Sequence, residues 1–214
     1  MKRKIDWLNH ALEFLVIVIG ILLAFQLEKC HNSNQQQDLI DEHRNAILDE
    51  TEFNVKIMTQ AKDYSMFNLK RVDSLIGFIY AKEDLQAINT KCMELLNLGQ
   101  CYIKKNAYNN LIKSGDIRYL KDFDEKSEII ALNEFYKWVE AMDKVSLDSY
   151  IKSYNPYVMK HLNMSNPAPI AREVYEDRIF LNSLGSYRHT ADLKLKKYNE
   201  CLTHMKQFLI DRKT

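Results

Sequence analysis

The feature that most constrains this chain is an uncharged apolar run near its start, FLVIVIGILLAFQL, which extends from Phe14 to Leu27. A helix needs about 20 apolar residues to cross the hydrocarbon core of a bilayer, so this run alone is too short. Extending it back to Trp7 gives a helix about 31 Å long, at about 1.5 Å per residue, with an aromatic ring at the interface. The sequence therefore predicts a transmembrane helix over residues 7–27.

A cleaved signal peptide would share the basic start of residues 1–4 and an apolar core. Cleavage also requires small residues in an A-x-A-like pattern, whereas the apolar run ends in bulky and charged residues from Phe25 to Lys29. Cys30 follows two charged residues instead of the small ones that precede a lipid-attachment site. These features favour an uncleaved membrane anchor.

The charges that flank the apolar run predict its orientation. Lys2, Arg3 and Lys4 precede it, whereas only Lys29 follows it closely. Segments rich in lysine and arginine remain on the cytoplasmic side of a membrane. We therefore expect residues 1–6 to form a short cytoplasmic tail of a single-pass protein in the bacterial inner membrane, with the helical domain in the periplasm.

The low content of turn-forming residues predicts the fold class. The 214 residues include only 5 glycines and 3 prolines, too few for the many turns of a β-sandwich or barrel. Apolar residues recur at helical spacing from Asp38 onward. The sequence predicts an all-α fold, in which the N-terminal transmembrane helix is followed by an antiparallel helical bundle over residues 38–214. Residues 28–37 would be a polar spacer or stalk, either a flexible segment or a solvated continuation of the anchor helix.

Local signals divide the bundle into helices. Gly99 and Gly115 are expected to end two short helices by supplying the left-handed conformation after the last turn. Asp122 and Glu125 form a capping box that predicts the start of a fourth helix near Phe123. The predicted helices cover residues 38–80, 85–98, 104–113, 123 to a bend or end at Asn155-Pro156, and 171–212, with a loop from Ser165 to Pro169.

Two segments of the chain resemble a known family. The span EFLVIVIGILLAFQ, from Glu13 to Gln26, and the segment AYNNLIKSGD, from Ala107 to Asp116, are similar to an uncharacterised family of small membrane-anchored helical proteins common in Bacteroidota. The span and the Tyr-x-x-Leu-x-x-Ser-Gly element carry this resemblance, which extends over most of the chain. It implies a single-span helical architecture in a bacterial inner membrane, and it implies no activity.

No established catalytic motif occurs in the sequence. The chain lacks a P-loop and the G-x-G-x-x-G, G-x-S-x-G and H-E-x-x-H patterns. Its four cysteines include no C-x-x-C pair, so zinc and thioredoxin-like chemistry lack their spacing. The formal net charge of +1 provides no general attraction for nucleic acid. We therefore expect no catalytic residue, no cofactor, no metal site and no nucleic-acid partner.

Cys92 and Cys101 could form a disulfide if the bundle lies in an oxidising space. Buried free thiols are favoured, because Cys92 would lie about 10 Å before the end of its helix and only two residues of chain return. Cys201 and His204 share a helix face and could supply two ligands of a metal site. No second pair of residues has ligand spacing, so core and surface roles are expected for them.

Two charged clusters have ordinary explanations. The acidic cluster Asp122, Asp124, Glu125 and Glu128 lacks the glycine and the ligand order of a calcium-binding loop, so helix capping is the expected role. The basic cluster is expected on a solvated face, and its members are Lys194, Lys196 and Lys197.

One face of the predicted span is a candidate interaction surface. Glu13, Ile17, Gly20 and Ala24 lie on one side of a helix, and Gly20-x-x-x-Ala24 is a pair of small residues that lets two backbones approach closely. A carboxylate costs about 2.5–3.5 kcal/mol at mid-membrane, although Glu13 is near an edge and can extend toward the interface. We predict that this face self-associates or binds a partner membrane protein.

Three hypotheses of function follow from the sequence. The leading one is a membrane-anchored, non-enzymatic interaction or sensor-like helical module. The alternative is a small single-span subunit of an ion-driven motor or transport complex that uses Glu13 in the membrane. The third is a helical enzyme whose site is assembled across the bundle.

Overall fold

The computed structural model describes residues 7–96, 99–162 and 168–213. It confirms the all-α fold, because a long N-terminal helix is followed by several helices that pack together. The helices are α1 (Trp7–Tyr80), α2 (Leu85–Glu94), α3 (Asn106–Lys113), α4 (Phe123–Ser149), α5 (Asn155–His161), α6 (Arg172–Glu176) and α7 (Arg178–Lys213). A 3₁₀ turn, Asp116–Tyr119, precedes α4, and a π-helical turn, Tyr150–Tyr154, joins α4 to α5.

The first helix, α1, is a continuous helix of 74 residues, about 110 Å long at about 1.5 Å per residue. Residues 28–37 therefore continue the helix and do not form a flexible spacer. Every side chain from Ala11 to Leu39 is exposed, and Ile40 is the first buried one. Only the part of α1 from Ile40 to Tyr80 belongs to the bundle.

The long helices α1, α4 and α7 form the frame of the bundle. Arg44, near the point where α1 enters the bundle, pairs with Glu125 at the start of α4. Asp73, near the far end of α1, pairs with Arg188 near the start of α7. α4 therefore runs parallel to the bundle part of α1, and α7 runs antiparallel to both, which confirms the antiparallel bundle.

The apolar core consists of two clusters, one at each end of this frame. The cluster nearer residue 40 includes Ile47, Met58, Leu111, Leu132, Tyr198 and Met205. The other cluster is rich in aromatic rings, and the centroid of Phe180 lies 4.9 Å from that of Tyr157 and 5.9 Å from that of Tyr154. Buried aromatic rings contribute large apolar areas, so the short helices α2, α5 and α6 close this end of the bundle.

The second helix begins where the sequence predicts but ends at Glu94, before the expected end at residue 98. The expected last residues, 97 and 98, lie outside the described part of the chain. Distant side chains bond two carbonyl groups at this end, one in the last turn of α2 and one just after it. The Tyr154 hydroxyl donates to the Cys92 carbonyl at 2.7 Å, and the Tyr150 hydroxyl donates to the Leu96 carbonyl at 3.2 Å.

Gly99 has a different role from the predicted one. Gly115 is the described glycine with a left-handed φ, at 78°, so the prediction of a left-handed glycine is confirmed at Gly115 and wrong at Gly99. A Cβ atom at Gly99 would lie 2.2 Å from Cδ1 of Tyr64. Gly99 is therefore required by the close approach of the Tyr64 ring to the backbone.

The third helix begins at Asn106, two residues later than predicted. The Asn54 side chain explains this difference, because it holds the backbone of Lys104 through two hydrogen bonds. The Lys104 N–H donates to Asn54 Oδ1 at 2.9 Å, and Asn54 Nδ2 donates to the Lys104 carbonyl at 2.8 Å. This pairing takes both backbone groups of Lys104, and the helix starts after it.

The start of α4 at Phe123 is confirmed, and so is its cap. Asp122 accepts hydrogen bonds from the backbone N–H groups of Asp124 and Glu125 at 2.9 and 3.2 Å. The Glu125 side chain does not complete a capping box, because it bonds Arg44 instead.

The helical path continues through Asn155-Pro156. Pro156 has no N–H to bond a residue of the preceding turn, and the π-helical turn lies immediately before it. The predicted last helix is divided at Asp177, whose extended backbone ends α6 and whose side chain accepts from the Ile179 N–H at 2.6 Å to cap α7. Most of the predicted loop, residues 165–167, lies outside the described residues.

Candidate functional site

The predicted interaction face lies on the part of α1 that no other element covers. Glu13, Ile17, Gly20 and Ala24 are all exposed, and their spacing places them along one side of the helix. Ala11 begins the stretch of α1 whose composition and length suit a membrane span, with a mean hydropathy of 2.2 in its most apolar window and none of that window buried. The structure therefore places these four residues along one exposed side of α1, outside the bundle.

Gly20 leaves a gap between the side chains of this face. A Cβ atom added at Gly20 would meet no other atom within 4 Å. The missing side chain therefore has no packing role within the chain. A neighbouring helix could approach the backbone closely at this position.

A second group of polar residues is buried between α4 and α7, and the sequence did not identify it as a unit. The Asp143 carboxylate accepts hydrogen bonds from the Cys101 N–H at 2.9 Å and from the Tyr198 hydroxyl at 2.5 Å. It also forms an ion pair with the Lys194 ammonium at 3.0 Å. Lys194 donates in addition to the Gly99 carbonyl at 2.7 Å. We call these five residues the Asp143 cluster.

The environment of the Asp143 cluster is nearly dry. The side chains of Asp143 and Lys194 are only 9% and 6% exposed. Burial, and then the negative charge of Asp143, holds the pKa of Tyr198 far above its ordinary value. The phenol therefore remains a hydrogen-bond donor at every physiological pH. With each group already bonded to a partner, the cluster fixes the connection at Gly99 and Cys101 against the two long helices.

The position of Lys194 corrects one sequence-based expectation. Lys194 was grouped with Lys196 and Lys197 on a solvated face, but it is buried, whereas Lys196 is exposed and pairs with Asp192 one turn away. The burial of Lys194 could have been predicted from its position in the helical repeat. It lies three residues after the inward Ala191 and four before the inward Tyr198, on the same face of α7.

The four cysteines are free thiols, as the sequence favours. Burial raises the pKa of Cys92, Cys101 and Cys201 to about 12 each, from an ordinary value of 9.0. Thiols with so high a pKa are poor nucleophiles near neutral pH, because the thiolate is the reactive form. Cys30 differs from them in being exposed on the part of α1 outside the bundle.

Members of the acidic cluster and His204 make contacts within the bundle. Within the described residues, no group of three or more potential ligands lies close enough to hold an ion. The His204 ring stacks on Phe135 with centroids 3.7 Å apart. Glu128 and Asp122 both pair with Arg212 at the end of α7. These residues join helices.

A surface groove of about 630 Å³ opens beside the π-helical turn and the start of α7. Two of its charged side chains already have partners within the chain. Lys152 pairs with Asp148 at 3.0 Å, and Asp177 caps α7 through Ile179. Its His161 ring stacks on Tyr157 at 4.4 Å between centroids. These contacts are made between the end of α4 and the π-helical turn, within α5 and at the start of α7.

Comparison with known proteins does not assign the chain to a family. A scan against models of protein families finds no match, and searches of curated proteins and of solved structures find no similar chain.

Proposed function

We propose that this chain is a membrane-anchored, non-enzymatic helical module that binds a partner through its transmembrane helix and presents a bundle outside the cytoplasm. In this proposal residues 7–27 cross the bacterial inner membrane once. Residues 1–6 remain in the cytoplasm, and the bundle lies in the periplasm. The resemblance to small single-span helical proteins of Bacteroidota agrees with this arrangement.

The observation that carries the proposal is the exposure of an apolar stretch at one end of a helix whose other end packs into the bundle. From Leu12 to Leu27 the large apolar side chains are 36–71% exposed, whereas α1 buries a regular stripe from Ile40 onward. Apolar surface on this scale is unfavourable in water. A bilayer removes that surface from water, and no segment of the described bundle does so.

The continuity of α1 supports a fixed spacing between membrane and bundle. Between the end of the apolar stretch at Leu27 and the first buried residue, Ile40, the helix rises about 20 Å. The segment between them is polar and entirely exposed. A helical stalk transmits orientation better than a flexible linker does, so a partner bound to the span would set the position of the bundle.

The proposal of a non-enzymatic role is supported by what the ionisable groups of the bundle already do. Asp143 and Lys194 pair in the core, Glu125 pairs with Arg44, and Asp116 bonds His43 at 3.0 Å. Each of these pairs joins two elements of the fold.

Labelling with a membrane-impermeant maleimide tests the anchor and its orientation together. In spheroplasts, the reagent is expected to label the full-length protein at Cys30 alone, because Cys30 lies just outside the proposed span, Cys92 and Cys201 are buried, and the half-buried Cys101 has a pKa raised to about 12. The labelled protein is expected to remain in the membrane pellet after alkaline carbonate extraction.

Two variants serve as controls for this labelling. Cys30→Ser should remove the label, and a cysteine introduced by Lys2→Cys in that background should react only after permeabilisation. Labelling of the Lys2→Cys protein in sealed spheroplasts would contradict the orientation, and a soluble or shortened product would contradict the anchor.

The interaction face is tested by Gly20→Ile, which places a branched side chain where close backbone approach is proposed. Crosslinking within the membrane, either between copies or to a partner, is expected to fall at least severalfold, because small residues at such contacts allow the packing that holds the helices together. Ile19→Leu is a matched control off this face. Wild-type crosslinking by Gly20→Ile would exclude the face as an interface.

Glu13→Gln separates this proposal from the alternative of an ion-driven complex. In an interaction module the neutral amide should leave crosslinking and cell phenotype unchanged. Loss of the phenotype with intact assembly would instead favour a proton or ion site at Glu13.

A further inference from the structure

A small polar cleft lies between the exposed part of α1 and the 3₁₀ turn. It has a volume of about 170 Å³. Its lining consists of Ser33, Gln36 and Gln37 from α1 and Arg118, Tyr119 and Lys121 from the turn and the residues after it. The cleft therefore combines two cations, two amides and two hydroxyl groups, and its lining includes no carboxylate.

Contacts with Tyr119 hold the guanidinium group of Arg118 at the cleft. Arg118 lies over the Tyr119 ring at 4.7 Å from the centroid, and its Nη2 donates to the Tyr119 hydroxyl at 2.8 Å. Arg118 and Lys121 are both exposed, so neither charge is enclosed by the bundle. The left-handed Gly115 begins this turn, so the backbone that presents both cations is fixed on the stalk side of the bundle.

A third cation extends the same surface toward the end of the apolar stretch. Lys29 lies four residues before Ser33, and Gln37 lies four residues after Ser33, so the three share one helix face. Glu28 and Asp38 are each one residue away from this face and project about 100° around the helix. Lys29 thus lies below the cleft on the same side of the stalk, where a neighbouring depression lined by Lys29, Ser33 and Gln36 also includes Glu28.

The acidic side chains beside the cleft have partners of their own. Asp41 accepts hydrogen bonds from Arg44 and from Gln37, the latter at 3.2 Å. Asp116 accepts from His43 at 3.0 Å. These contacts leave the two cations of the cleft available to an external anion.

The height of the cleft above the proposed span decides which anion it meets. Along the helix axis, Lys29 lies about 3 Å beyond Leu27, and the cleft residues of α1 lie from about 9 Å (Ser33) to about 15 Å (Gln37) beyond it, so the edge at Ser33 is nearest the membrane. The headgroup layer extends about 5–8 Å beyond the hydrocarbon core on each side. Long lysine and arginine side chains bridge the remaining few ångströms to lipid phosphates.

We propose that this cleft, with Lys29 below it, binds the headgroup of an anionic phospholipid in the leaflet that faces the bundle. This inference rests on the proposed membrane anchor and adds a second, specific contact with the bilayer. The bound headgroup fixes the rotation of the bundle about α1, because the cleft lies on one side of the stalk. A free phosphate would offer the same chemistry, but it is not held at this height.

Photocrosslinking of the full chain in vesicles tests the proposal. Tyr119 is replaced by benzoylphenylalanine, which keeps an aromatic ring beside the cleft. The protein is reconstituted into phosphatidylcholine alone or into an equal mixture with phosphatidylglycerol. We expect about 25-fold more lipid adduct in the mixed vesicles, and Lys121→Gln should lower that yield about fivefold, since each of the two basic side chains near an anionic surface contributes about a factor of five.

The control has the same loss of charge elsewhere on the bundle. Arg118→Gln/Lys121→Gln should reduce the adduct to the level found in phosphatidylcholine, whereas Lys137→Gln/Lys152→Gln, on exposed positions of α4 and the π-helical turn, should leave it unchanged. Equal yields in the two kinds of vesicle, or equal effects of the two double variants, would overturn the proposal. So would a loss of adduct formation when inorganic phosphate is added before irradiation at matched ionic strength, because the cleft would then bind a free anion.

Flotation of the same vesicles reports the anchor separately. Protein that floats without a lipid adduct at residue 119 contradicts the headgroup site alone. Protein that fails to float contradicts the membrane anchor, and with it both proposals.

Discussion

Asp143→Ala is expected to lower the free energy of unfolding by about 3–5 kcal/mol, because it leaves the buried Lys194 ammonium without its counter-charge. The two side chains are 9% and 6% exposed and lie 3.0 Å apart, so water cannot replace the carboxylate without entering the core. The substitution also removes the acceptor for the Cys101 N–H and the Tyr198 hydroxyl. Each buried donor left unsatisfied adds to the cost.

Urea unfolding of the full chain in detergent micelles, followed by far-ultraviolet circular dichroism, measures this loss. Asp192→Ala is the matched control. Asp192 pairs with Lys196 on the surface of α7, the helix that also carries Lys194, and these two side chains are 44% and 64% exposed. An exposed pair of this kind contributes less than about 1 kcal/mol. Equal losses in the two variants would show that Asp143 has no special role in the core.

A double substitution separates unpaired charge from lost packing. Asp143→Leu/Lys194→Met removes both charges and retains apolar volume at each position. Replacing a buried ion pair by apolar residues is often neutral, although here two hydrogen-bond donors lose their acceptor. The double variant should therefore be more stable than Asp143→Ala by about 1 kcal/mol or more. A double variant less stable than the single one would contradict the account based on unpaired charge.

The buried pair was partly predictable, and its residues show where prediction stops. Asp143 lies four residues after the inward Val139, and Lys194 lies four residues before the inward Tyr198. A charged residue at an inward position on each of two helices indicates a buried pair, because a lone buried charge is too costly. The sequence does not say that these two positions face each other, since that depends on how far α7 extends along α4.

Helix ends follow the same division between local and tertiary causes. The end of α3 was predictable, because the left-handed turn at Gly115 depends only on the conformational freedom of glycine. The end of α2 was not, because the carbonyl groups of Cys92 and Leu96, on either side of that end, accept hydrogen bonds from Tyr154 and Tyr150, more than fifty positions later in the chain. The sequence near Glu94 therefore does not predict those contacts.

The exposed, apolar part of α1 was predictable as a helix from the local sequence, and it is helical throughout. Its length, apolar composition and flanking charges are properties of a continuous segment, so they need no knowledge of tertiary contacts. The cleft at Arg118 and Lys121 was not foreseen, because these residues meet Ser33 only through the packing of the bundle against the stalk. Contacts between segments about eighty positions apart are set by the fold as a whole.

The close approach at Gly99 leads to the second large effect on stability. Gly99→Ala is expected to destabilise the bundle by about 1–3 kcal/mol, because the added Cβ atom overpacks a filled space. At its ideal position this atom would lie 2.2 Å from Cδ1 and 2.5 Å from Cε1 of Tyr64. Those atoms are near the base of a planar ring, so a small rotation of a flexible side chain cannot remove the clash. Either the ring or the backbone at Gly99, whose carbonyl accepts from Lys194, must move.

A double-mutant cycle identifies the clash as the cause. In a Tyr64→Ala background the ring is absent, so Gly99→Ala should cost less than about 0.5 kcal/mol, with the difference between backgrounds reporting the direct contact. Gly185→Ala is the control for the substitution itself. A Cβ atom there meets nothing within 4 Å, and alanine should stabilise α7 by about 0.5–1 kcal/mol through its higher helix propensity. If Gly99→Ala costs the same with and without the Tyr64 ring, the glycine is required by its backbone conformation and the steric explanation is wrong.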